Sequence, residues 1–145
     1  MRVAIALTVI AFMGLAGLAH ARDQVPAELR DKPWTGVVPV CEDPAVLGDI
    51  IQAFTKKEAD YWNSPLTIQA FDKIYQIGVR PWGLDYIPRR FCAAKALVSD
   101  GQWHSVYYSV REDLGRIGLT WDVNWCVTGF DRNLAYAPNC QMARP

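Results

Sequence analysis

Apolar and polar positions follow three patterns along this chain, and each predicts a different element. From Val3 to Leu18 the sequence is almost unbroken apolar. Farther on, Leu47, Ile50, Ile51, Phe54 and Tyr61 recur at three- and four-residue steps, while Lys56, Lys57, Glu58 and Asp60 fall mainly on the other side. That is the period of an amphipathic helix. Asp43 is a good N-cap, and Pro44 suits the first helical position, where a backbone donor would be unpaired anyway. Asn63-Ser64-Pro65 stops the helix, because the residue before a proline is pushed out of the α region. About five turns are expected.

The third pattern is alternation. Phe71, Tyr75, Ile77 and Val79 are apolar with mostly polar neighbours, which predicts a strand from about Phe71, broken by Arg80-Pro81-Trp82-Gly83. Two β-favouring runs, FCAAKALVS and QWHSVYYSV, flank Asp100-Gly101. An Asp-Gly pair between such runs is a strong hairpin signal, since a type I′ turn needs positive φ at both central residues. In that register Ser99 faces Gln102, Leu97 faces His104 and Lys95 faces Val106. Glu112-Asp113-Leu114-Gly115 turns the chain again. Leu119, Trp121, Val123, Trp125 and Val127 then alternate with Thr120, Asp122, Asn124, Cys126 and Thr128, the clearest period-2 run in the sequence. The tail, AYAPNCQMARP, has no periodicity.

One helix followed by four strands predicts an α+β domain over residues 41–145, with the N-terminal helix packed on a four-stranded antiparallel meander. This order resembles the cystatin-like architecture and, more loosely, the cone-shaped nuclear-transport-factor-like folds. The cystatin inhibitory signature Q-x-V-x-G is absent, as Gln76-Ile77-Gly78-Val79-Arg80 has the wrong order. Pro81-Trp82 resembles the cystatin Pro-Trp loop but follows the first strand rather than a late one. Protease inhibition is therefore not implied, and the architecture alone hosts many functions.

The apolar N-terminus changes the picture of compartment. Arg2, the run after it and Ala19-His20-Ala21 read as a signal peptide over residues 1–21, with the mature chain starting at Arg22. The run is short for a membrane span, and nothing later approaches one. Residues 22–40, with Pro26, Pro33, Trp34 and Pro39, read as an extended arm. Without Arg2, 14 basic residues stand against 15 acidic ones, so no basic excess marks the mature chain for nucleic acid or an anionic membrane. A periplasmic or secreted location follows.

All four cysteines, Cys41, Cys92, Cys126 and Cys140, lie beyond the signal segment, which predicts two disulfides. Cys126 with Cys140 would pin the tail across a strand, and Cys41 with Cys92 would tie the helix start to the sheet. These loops are worth about 3 and about 4 kcal/mol in the chain-entropy model. The alternatives are Cys41–Cys126 with Cys92–Cys140, or a Cys41–Cys140 bond. No C-x-x-C pair is present, and His104 is the only histidine after the signal, so no metal and no cofactor is expected.

Two sets of residues could carry chemistry. In the expected register Phe91, Ala93, Lys95 and Leu97 share the core face with His104, Val106, Tyr108 and Val110, joined by Ile117, Leu119, Trp121 and Val123. Lys95 and His104 are the anomalies there. With Tyr108 they could form a polar pocket able to exchange protons and hold an anion, or they could be a snorkelling lysine and a satisfied core histidine. The second set is the loop Arg80 to Arg90, where Arg80, Trp82, Asp85, Tyr86, Arg89 and Arg90 are residue types enriched at binding hot spots. Trp34, Trp82 and Trp103 remain as surface tryptophans that could stack on carbohydrate. The leading expectation is an exported binding or interaction module without catalysis of its own, contacting a protein or small molecule in the envelope through that loop. The alternatives are a small pocket enzyme or ligand carrier using Lys95, His104 and Tyr108, and a structural envelope component.

Overall fold

A computed structural model describes residues 36–80, 87–112 and 120–145. The expected signal peptide, most of the arm and the turn at Asp113-Leu114 lie outside them. The described chain is an α+β arrangement in the order α1 (Pro44–Trp62), β1 (Ile68–Arg80), β2 (Arg89–Val98), β3 (Trp103–Arg111) and β4 (Asp122–Val127). The strands form one sheet in the order β1-β2-β3-β4, antiparallel throughout.

α1 starts and stops where local chemistry requires. The Asp43 carboxylate accepts from Ala45 N at 2.8 Å, Pro44 follows it, and Asn63 closes the helix in the left-handed conformation at φ 46°. Its inward stripe is the i+4 row Val46, Ile50, Phe54 and Glu58, all buried, with Leu47 and Ile51 packed beside it. Tyr61 shares Phe54's angular position but lies past the final buried residue, and it is 77% exposed. The expectation that it faces the core is corrected.

The hairpin forms, but one residue out of the expected register. Ala96 pairs with His104, Lys95 with Ser105 and Ala94 with Val106. Only Gly101 of the Asp-Gly pair takes positive φ, at 81°. Gly101 N donates to Val98 O at 2.9 Å and Val98 N to Gln102 O at 3.1 Å, which closes a three-residue loop rather than a two-residue one. The glycine serves as the left-handed residue of a bulged turn. A slip of one exchanges every side chain between faces. Cys92, Ala94, Ala96 and Val98 therefore face α1 with Val106, Tyr108 and Val110, while Phe91, Ala93, Lys95 and Leu97 face the other way.

β1 departs from alternation for a related reason. Register shifts between Ile68 and Ala70, Asp72 and Tyr75, and Gln76 and Gly78 add residues to the strand. Its sheltered positions thus fall every third residue, at Ile68, Phe71, Ile74 and Ile77. Tyr75 and Val79, expected on the apolar side, are 56% and 52% exposed. The strand also begins three residues earlier than its pattern predicts. β4 keeps its period: Val123, Trp125 and Val127 join the core under α1, and Cys126 faces away.

Both faces of the sheet are covered. On one side, Phe54 of α1 packs against Trp125 and Phe130 at ring distances of 6.0 and 5.3 Å. On the other side the tail crosses the strands. Cys140 and Ala143 pack with Cys126 and Tyr107, and the Arg144 guanidinium stacks on Tyr107 at 4.0 Å. Pro145 reaches Gly78, where an added Cβ would meet its ring at 3.2 Å. Two disulfides fasten these layers, Cys41–Cys92 on the helix side and Cys126–Cys140 on the tail side. Cys92 faces α1 because of the shifted register, so Cys41 reaches it from the helix layer without crossing the sheet.

Candidate functional site

Four chain positions line up at one end of the sheet. Arg80 pairs with Arg89, Arg89 with Arg111, and Arg111 with Asp122. Strands lie about 5 Å apart, and residues directly opposite one another project from the same face. The row lies on the tail-covered face, one rung beyond Gly78, Phe91, Ser109 and Asn124.

Three arginines in consecutive rung positions repel one another. Like charges on neighbouring strands disfavour one another, the more so where burial limits screening by salt. Burial, then the charges of Arg111 and Arg80, lower the Arg89 guanidinium from its ordinary pKa. The Nε atoms of both Arg89 and Arg111 are buried without a hydrogen-bond partner among the described residues. Asp122, the carboxylate in the row, accepts from Val123 N at 2.8 Å, and no ion pair joins it to Arg111. An unpaired buried donor on a charged group is costly to maintain.

The expected loop surface is divided by the structure. Arg80 and Arg89 belong to the row. Arg90 projects toward α1's side, where its Nε donates to Pro39 O at 2.9 Å and another guanidinium nitrogen donates to the Gln76 side chain. Arg90 thus tethers the segment before α1 to the sheet. Trp82, Asp85 and Tyr86 lie outside the described residues. Arg111 was missed by sequence reasoning, and the reason is the register. A two-residue turn places Arg89 opposite Glu112, a complementary pair. The bulged turn places it opposite Arg111 instead.

Lys95, His104 and Tyr108 are not brought together. Lys95 projects from the tail-covered face and donates to Ser105 Oγ at 2.8 Å. His104 lies on the opposite face, its ring 4.9 Å from Phe130. The Thr128 carbonyl and an Asp100 carboxylate oxygen lie 3.1 and 2.9 Å from its two ring nitrogens. Tyr108 shares that face but is fully buried, and its hydroxyl donates to Cys41 O at 2.8 Å. Burial, reinforced by the charge of Glu42, pushes its ionisation far above the usual range. Each group has a structural partner of its own.

A concavity of about 320 Å³ opens along the tail between Gly129, Arg132, Leu134 and Pro138. Its charged groups are committed: the Asp131 carboxylate accepts from Ala135 N and Tyr136 N, and Arg132 pairs with Glu58. Among the described residues no cluster of three or more potential metal ligands occurs. No helix among them is long and apolar enough to cross a membrane. Comparison with known proteins returns no matching family model, no matching curated protein and no matching solved structure.

Proposed function

We propose that this chain is an exported binding module, without catalysis of its own, whose contact surface is the arginine-lined end of the sheet. The observation that carries this reading is the direct pairing of Arg89 with Arg111 across β2 and β3, which sets two half-buried arginines on one face at the end of the sheet. A partner bearing acidic groups would offset that like charge in one contact. The separation of Lys95, His104 and Tyr108 supports binding over the pocket-enzyme alternative.

Two disulfides suit an oxidising compartment, and with the signal-like N-terminus they support a periplasmic or secreted location. N-terminal sequencing of the native protein should then begin at Arg22. The order of one helix and a four-stranded meander supports a cystatin-like or nuclear-transport-factor-like assignment of the fold.

The binding reading is tested by affinity capture from the native envelope with the mature protein and with the Arg89→Gln/Arg111→Gln double variant. The wild type should retain at least one component that the folded double variant does not. Identical recovery by both proteins would remove the arginine row as the contact surface.

A further inference from the structure

The geometry points to an oxyanion, a carboxylate or phosphoryl group, as the chemical group that Arg89 and Arg111 grip. This inference rests on the binding reading above and names its ligand chemistry. A guanidinium presents its donors in a planar fork that matches two oxygens of a carboxylate or phosphate. Here two forks start from directly paired positions on β2 and β3 and project from the same face. A neutral ligand could satisfy the donors but would leave the charges facing one another. A cationic ligand would add to the repulsion.

The immediate surroundings suit a fixed site. The next rung inward carries Phe91 and Ser109, 6% and 7% exposed, so the arginine stems rise from a packed floor. Pro145 closes over Gly78 on the same rung. The row therefore has a supported inner side. The acidic member, Asp122, sits at its β4 end, where it would disfavour an anion seated beyond Arg111 and bias the site toward the Arg89–Arg111 pair.

The test uses the mature protein with inorganic phosphate and citrate as separate probes. Sodium chloride at matched ionic strength is the control for general screening. Isothermal titration should show saturable binding of at least one probe, and the same probe should raise the thermal midpoint above that in chloride. Phosphate binding alone assigns a phosphoryl ligand, and citrate binding alone assigns a carboxylate. Arg89→Gln should weaken binding by about tenfold or more, as expected for loss of one charge-assisted fork, and circular dichroism should show it folded. Arg111→Gln provides the same measurement should Arg89→Gln fold poorly. Arg144→Gln, which removes an equal charge from the stack on Tyr107, should leave the affinity within about twofold.

Absence of saturable binding of both probes to the wild type would overturn the oxyanion assignment. So would equal weakening by Arg144→Gln, which would reduce the effect to net charge. If the double variant loses its envelope component while the wild type binds neither probe, the contact surface stands and only the ligand chemistry falls.

Discussion

Glu58 of α1 and Arg132 of the tail meet at 2.9 Å, with the glutamate side chain 1% exposed and the arginine 33%. The carboxylate occupies the last position of the helix's otherwise apolar inward stripe. Arg132 also stacks over Trp62 and Phe130, at 5.1 and 5.5 Å from their ring centres, so one side chain joins helix end, tail and core. Removing one partner of a buried pair leaves an uncompensated charge, whereas replacing the charge with an apolar group does not. Arg132→Ala should cost about 2 kcal/mol, reduced from the fully buried case by the exposure of Arg132. Glu58→Leu should cost less or stabilise. Urea unfolding of both variants checks this, and equal losses would contradict it.

The Tyr108 hydroxyl is a structural group. Tyr108→Phe keeps the ring and deletes the donor to the Cys41 carbonyl, which lies in the core. A loss of about 1–3 kcal/mol is expected from stranding that acceptor, with both disulfides still formed in non-reducing peptide mapping. An unchanged unfolding midpoint would show that water or another donor replaces the hydroxyl.

The tail depends on its crosslink. Cys126 and Cys140 are 14 residues apart, and opening so short a loop costs about 3 kcal/mol in the chain-entropy model. The Cys126→Ser/Cys140→Ser double variant should lose about that much. Its amides near residues 141–143 should exchange faster with solvent, while those of β2 and β3 stay protected. Uniform loss of protection across the sheet would mean that the tail and sheet unfold as one unit.

The Asp100 carboxyl is held below its ordinary pKa, first by the backbone N–H of Gln102 and further by His104. A carboxyl depressed in the folded state stabilises at pH values above its unfolded pKa, near 4, and that contribution disappears as pH falls through the folded value. The thermal midpoint of the wild type should therefore drop more steeply below about pH 4 than that of Asp100→Asn. Parallel profiles between pH 2.5 and 6 would count against the assignment.

The parts of this fold that were legible in the sequence are those set by a few neighbouring residues. Asp43-Pro44 and Asn63-Ser64-Pro65 bracket α1 because capping is local. Trp121 to Val127 alternate because β4 carries no bulge. The hairpin was legible as a hairpin but not in its register, since Asp100-Gly101 is compatible with both a two-residue and a three-residue loop. That single ambiguity decides which faces Cys92 and Lys95 occupy, whether Lys95 lies beside His104, and whether Arg89 meets Arg111 or Glu112. Glu58 reads as a solvent position because its partner lies 74 residues away, beyond any periodicity. The three irregularities in β1 likewise belong to its pairing with β2 rather than to its own sequence.

The tail that lies across the sheet also sets an order of events. Synthesis runs from the N-terminus, so all four strands are made before the residues that cover Gly78, Tyr107 and Cys126. Until the tail arrives, the nascent sheet leaves the small apolar patch around Tyr107 uncovered and carries a thiol at Cys126, and these invite wrong association and wrong pairing. The interval between completion of β4 and closure of Cys126–Cys140 is thus when this molecule most needs a chaperone and an oxidant close at hand.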